Sequence, residues 1–178
     1  MKRYIIFGLI FTTAIIAGVV WRTSVQAQDM PMTEAHIARI RANCVEAQTR
    51  LGQLHASDAL LRVNRGQLYE SISTKLMAPL NSRISLNHLD DVNLVTIAAS
   101  YEGQLAYFRQ SYQQYEEAMS RTLKLNCINQ PVVFYDSVAD TRAKRKKVHE
   151  STVTLHETIG DYKKEFEVFA KQFTGGDQ

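Results

Sequence analysis

The chain has 178 residues, with 21 Lys and Arg against 18 Asp and Glu, a formal charge of +3 and a pI near 8.9. Lys2, Arg3 and Arg22 are the only charges in residues 1–27; taking these three from the 21 leaves 18 basic against 18 acidic residues. That balance excludes the basic surplus a nucleic-acid binder shows, and the remaining roughly 150 residues are enough for one domain with its own core.

At the N-terminus, Lys2 and Arg3 precede an uncharged apolar run over residues 4–20, closed by Trp21 and Arg22. At about 1.5 Å per residue this run makes a helix of roughly 26 Å, close to the hydrocarbon thickness of a bilayer. Cations ahead of the run favour a cytoplasmic N-terminus, so the rest of the chain is expected outside the cytoplasm, with Trp21 at the interface and residues 4–21 in the membrane. The run is longer than the core of an ordinary signal peptide, which favours an uncleaved anchor. The alternative is a secreted chain: Val25-Gln26-Ala27 places small residues at signal-peptidase spacing, with cleavage after Ala27. Residues 1–27 are therefore assigned to the anchor or signal, 28–174 to the exposed domain and 175–178 to a flexible tail.

The exposed part reads as all-α: an elongated antiparallel three-helix bundle resembling a coiled coil, with helices over about 33–78, 88–125 and 131–173. Pro31, Pro79 and Pro131 fall between periodic stretches, as helix sterics require. The first stretch opens at Thr33 and steps by three and four through Ile37, Ile40, Cys44, Ala47, Leu51, Leu54, Asp58, Leu61, Arg65, Leu68 and Ile72, with Gly66 a soft spot. The second takes Asn87 as its N-cap, with Asp90 and Asp91 in the first turn, where the helix dipole favours acids. Its stripe is Leu94, Ala98, Tyr101, Leu105, Phe108, Tyr112, Tyr115 and Met119. The third starts at Pro131, a favoured first helical position, and carries Phe134, Val138, Thr141, Arg145, Val148, Thr152, Leu155, Ile159, Tyr162, Phe166, Phe169 and Phe173. Short loops, about 79–87 and 126–130, make neighbouring helices antiparallel.

Residues facing each other across an antiparallel hairpin share one midpoint. The midpoint of Cys44 and Cys127 falls between Ser85 and Leu86, inside the expected first loop, so the two thiols are expected at one height and joined by a disulfide. With the third helix starting at the height of the clasp, counting 14 residues up from Cys44, back from Cys127 and on from Pro131 reaches Asp58, Gln113 and Arg145, about 21 Å along the helices. Asp58 and Arg145 both occupy stripe positions, and a buried polar layer is expected there, with Gln113 or the Tyr112 hydroxyl beside the pair.

Catalytic signatures are lacking: no phosphate loop, nucleophile elbow or Cys-His arrangement is present. His149 and His156 repeat at seven residues, two turns apart and too far to grip one metal ion. The expectation is a non-enzymatic protein without cofactor or metal. The run Arg142, Lys144, Lys146 and Lys147 offers a patch to an anionic partner, though such a run is more often a solvated helix face.

The stretches Arg62-Val63-Asn64-Arg65-Gly66-Gln67-Leu68-Tyr69-Glu70 and Gln130-Pro131-Val132-Val133-Phe134-Tyr135 resemble segments of uncharacterised, signal-anchored helical surface proteins of ultrasmall episymbiotic bacteria. The resemblance extends over most of the exposed domain. It implies a place at the cell surface and brings no activity and no functional residues.

The function expected is that of a membrane-anchored interaction, tether or adaptor module of the cell envelope, with a protein partner there. Helices of roughly 55–65 Å carry the far loop, about residues 80–86, away from the bilayer. A carrier or chaperone needs an apolar groove between helices instead. A sensor input domain is the third reading. The three-helix stripe can also recruit a fourth helix from another subunit, giving a homo-oligomer.

Overall fold

The computed structural model describes residues 32–89 and 91–174, the side chains of Phe173 and Thr174 apart. The apolar run, the processing site, Asp90 and the C-terminal tail lie outside the described residues, and so does the Phe173 end of the third stripe. The described chain is helical throughout, with no strand. Among its residues, no helix is long and apolar enough to cross a membrane.

Helix α1 (Glu34–Ala42) is capped by Thr33, whose hydroxyl accepts from the His36 amide. It adjoins α2 (Cys44–Ser71) at Asn43, and both the backbone and the side chain of Asn43 donate to the Arg39 carbonyl. Helicity does not stop at Ala78, where the sequence places the end of the first helix. A π-helical segment (Ile72–Met77) leads into α3 (Ala78–Leu86), so the predicted loop over 79–87 is mostly helix. Proline inside a helix lacks a donor and its ring crowds the carbonyl four residues back. Here the turn ahead of Pro79 is widened, with the Ala78 amide donating to Ser73 five residues back, and the chain continues past the proline.

The turn follows α3, at Asn87 and His88. Asn87 closes α3 rather than opening the next helix, and His88 adopts φ 56°. The His88 amide donates to Ser85 and the Leu89 amide to Ile84, the paired bonds of a Schellman closure, with Ile84 and Leu89 packed in the same cluster. Helix α4 (Val92–Lys124) takes Asp91 as its N-cap, whose carboxylate accepts from the Leu94 amide. Helix α5 (Pro131–Thr174) begins at Pro131, as predicted.

Hydrogen bonds fix the directions. Pairs joining the first helical stretch to α4 straddle residues 85–88: Gln48 with Leu125, Asp58 with Tyr115, Tyr69 with Tyr101, and Asn81 with Leu94. Those joining α4 to α5 straddle residues 129–132: Thr122 with Ser137 and Thr141, Gln104 with Thr158, and Asn93 with Glu165. Between the first stretch and the chain from 128 onward the offset is 87 through Arg41 and Ile128, Asp58 and Arg145, and Tyr69 and His156, and it falls to 81 beyond the π-helical segment, where the Tyr162 hydroxyl donates to Asn81.

The buried side chains form three clusters. One surrounds Cys44, Cys127 and Phe134; the next contains Tyr112, Tyr115 and Met119; the largest runs from Tyr69 and Phe108 to Ile84 and Phe169. Cys44 and Cys127 are joined by a disulfide, with Cα atoms 5.6 Å apart.

Candidate functional site

Two kinds of helix contact shape the site. Small residues are buried along both α4 and α5: Ser111, Ala118 and Thr122 on the first, Thr141, Ser151 and Thr158 on the second. The Thr122 hydroxyl lies 2.6 Å from that of Ser137 and 2.9 Å from that of Thr141. Small side chains let these two backbones approach closely. By contrast, no Cα of α2 lies within 8 Å of a Cα of α5. Only long side chains bridge that gap, and a groove of about 440 Å³ is left between α2 and α5 with α4 as its floor.

The floor is aromatic: Phe108, Tyr112 and Tyr115. Each is buried, and Tyr112 packs edge to face on Tyr115 with ring centroids 5.9 Å apart. One end of the groove is closed by Asp58. Its carboxylate accepts from Arg145 Nε at 2.7 Å, from Arg145 Nη2 at 3.0 Å and from the Tyr115 hydroxyl at 2.7 Å. Burial pushes the Asp58 carboxyl up, but the hydrogen bonds from Arg145 and Tyr115 outweigh it and hold the group below the usual carboxylate range. The same contact, with burial as the larger cause, pushes the Tyr115 hydroxyl up. Toward the other end lies His156, whose Nε2 is 3.0 Å from the hydroxyl of the buried Tyr69.

The predicted pairing of Asp58 with Arg145 forms, but not as a buried layer: Arg145 is exposed, and the company of the pair differs. Gln113 is exposed and donates to Glu117 on its own helix, because it lies on the outer side of α4. The Tyr112 hydroxyl donates to Glu116 at 3.1 Å, and Glu116 also meets His55 at 2.5 Å. Burial, then Glu116, pushes Tyr112 up to about 12. Tyr115 is the residue that reaches Asp58. The sequence places it on the core stripe of the second helix, outside the expected layer.

The first stripe departs from its predicted course after Asp58. Leu61, Arg65 and Leu68 are exposed, while Tyr69, Ser73 and Met77 are buried. After Asp58 the next buried position is Tyr69, one residue beyond the Leu68 of the heptad, and Ser73 and Met77 follow in steps of four, a stutter in the repeat. Leu61, Arg62 and Arg65 therefore line the groove instead of the core. The row of small residues on α4 and α5 is the sequence signal for that opening.

The basic run is spread over different surroundings. Lys144 pairs with Asp140 and Lys146 with Glu150 on the same helix, Arg142 and Lys147 are exposed, and Arg145 turns into the groove. His149 and His156 both line the groove. Among the described residues, no three His, Cys, Asp or Glu side chains gather as metal ligands would. Every buried side-chain nitrogen and oxygen there has a hydrogen-bond partner.

Compared with protein-family models, curated proteins and solved structures, the chain finds no match.

Proposed function

We propose that this chain is a non-enzymatic ligand-binding or carrier protein of the cell envelope, held at the membrane through residues 4–21, with an antiparallel three-helix bundle outside the cytoplasm. The groove between α2 and α5 carries this reading: about 440 Å³ is within the range of small-molecule sites, and its floor is aromatic. The cations flanking the apolar run support the orientation, and the resemblance of residues 62–70 and 130–135 to signal-anchored surface proteins supports the location.

The test places a photoreactive amino acid at Thr152, in the groove, or at Gln110, on the exposed side of α4, in the full chain within its native envelope. A small-mass adduct at Thr152 and none at Gln110 is expected. Equal labelling at both positions overturns the groove as the binding site.

A second reading, the tether or adaptor, is favoured by a different observation. Leu86 and Val92, beside the turn between α3 and α4, are 76% and 74% exposed, an apolar pair suited to a protein contact. A protein adduct from a photoreactive group at Leu86, with Thr152 blank, favours this reading over the carrier.

A further inference from the structure

Two guanidinium groups face the groove without a carboxylate partner. Arg62 and Arg65 are three residues apart on α2, a spacing that sets side chains on one face about 5–6 Å apart at Cβ. Asp58 is the one acid among the residues that line the groove, and Arg145 and Tyr115 occupy it. Arg62 lies over the Tyr112 ring, its Cζ 4.7 Å from the centroid, a cation–π contact that takes up none of its N–H groups in a hydrogen bond. Among the described residues, neither arginine forms an ion pair or side-chain hydrogen bond, whereas Arg50, Arg109 and Arg145 are each paired with an acid. Beside these cations lie apolar surfaces from all three walls: Leu61, Phe108, Val148 and Val153.

The ends of the groove limit what fits. The Asp58–Arg145 and Tyr69–His156 bridges stand 11 residues apart on each helix, which is roughly 16 Å. A partner helix running the length of the groove would meet both bridges. A second copy docked face to face would set Arg62 and Arg65 against their own counterparts.

Resting on the groove-binding reading above, we infer that the ligand is a small carboxylate amphiphile. Its apolar chain lies on Phe108, Val148 and Val153, and its acid head is held by Arg62 and Arg65. A carboxylate accepts from guanidinium edges in parallel, charge-assisted hydrogen bonds. The apolar floor rewards the chain and not the head, so a neutral analogue keeps only part of the affinity.

The experiment uses the full chain in nanodiscs, labelled with a diazirine-bearing fatty acid or with the matching diazirine-bearing alcohol, and adducts are mapped by mass spectrometry. The expected result is acid adducts on the peptides holding residues 61–65 and 148–153. Labelling there by the alcohol should be at least about tenfold weaker, since the alcohol loses the charge-assisted contacts to both arginines. Arg65→Glu should lower acid labelling by at least that factor and alcohol labelling by much less, whereas equal losses for the two probes overturn the anionic head group. Arg65 is exposed and unpaired, so this variant keeps the fold, and retained helical circular dichroism checks that it does. Equal groove labelling by acid and alcohol overturns the anionic ligand while leaving a groove-binding protein. No groove labelling by either probe removes this inference, and the carrier reading then rests on the native-envelope test alone.

Discussion

Asp58 receives three hydrogen bonds from two other helices, and its side chain is 11% exposed against 48% for Arg145. The acid is the costly member of the pair to leave alone, since a buried acceptor or charge without a partner loses its hydration. Arg145→Leu should therefore destabilise by about 2 kcal/mol, and Asp58→Leu with Arg145→Leu by less than the sum of the single changes. Additive losses in a thermal-denaturation cycle would show that the two groups do not interact. The pH dependence has a definite sign. The folded-state value of Asp58 is depressed, so its contribution is present above the unfolded value of about 3.9 and is lost as pH falls through the folded one. The stability gap between wild type and Asp58→Asn should narrow below about pH 4, and a gap constant from pH 7 to pH 2 contradicts the depressed value. Height along the helices was legible from residue numbers, which is why Asp58 and Arg145 could be paired. Rotation about α4 was not, so Tyr112 and Gln113 were expected where Tyr115 stands. That rotation is set by the close seating of Thr122 on Ser137 and Thr141 of α5.

At the scale of elements, α2 separates two readings of one repeat. A strict heptad buries Leu68, whereas the structure buries Tyr69 completely and leaves Leu68 54% exposed. Tyr69 also packs edge to face on Phe108 and accepts the Tyr101 hydroxyl at its carbonyl. Tyr69→Ala is expected to cost about 3–5 kcal/mol, and Leu68→Ala less than about 0.5 kcal/mol, by urea unfolding. The reverse order would restore the heptad. α4 and α5 were legible over nearly their whole length, because the apolar stripe from Leu94 to Met119 and from Phe134 to Phe169 keeps alternating steps of three and four. The far end of the first stretch was not. A proline at position 79 reads as a boundary when an α-helix is assumed, and the π-helical turn ahead of it is what lets helix persist to Leu86.

For the molecule as a whole, the all-helical class and the site of the cysteine clasp were readable, the latter from a midpoint within two residues of the observed turn. The groove was not, because nothing in a list of apolar positions says how far apart two helices stand. The disulfide spans 83 residues of sequence and closes the first stretch onto the end of α4. Replacing both cysteines, Cys44→Ser with Cys127→Ser, should lower the unfolding free energy by about 4 kcal/mol on the chain-entropy account. Loss of less than about 1 kcal/mol in denaturant titrations would mean that the link constrains little of the unfolded chain.

The disulfide also has a mechanical consequence when taken with the turn at Asn87 and His88. The first helical stretch is tethered to α4 at both ends, by a covalent bond at one and by chain continuity at the other. Between them, α2 stands off α5. It cannot swing away as a flap; it can only bow outward, like a bowstring drawn at its middle. Amides between residues 60 and 68 should therefore lose their hydrogen-exchange protection before those near Cys44 or Tyr69, and before α4, in native-state exchange. Uniform protection along α2 would mean that the groove opens without bending its wall.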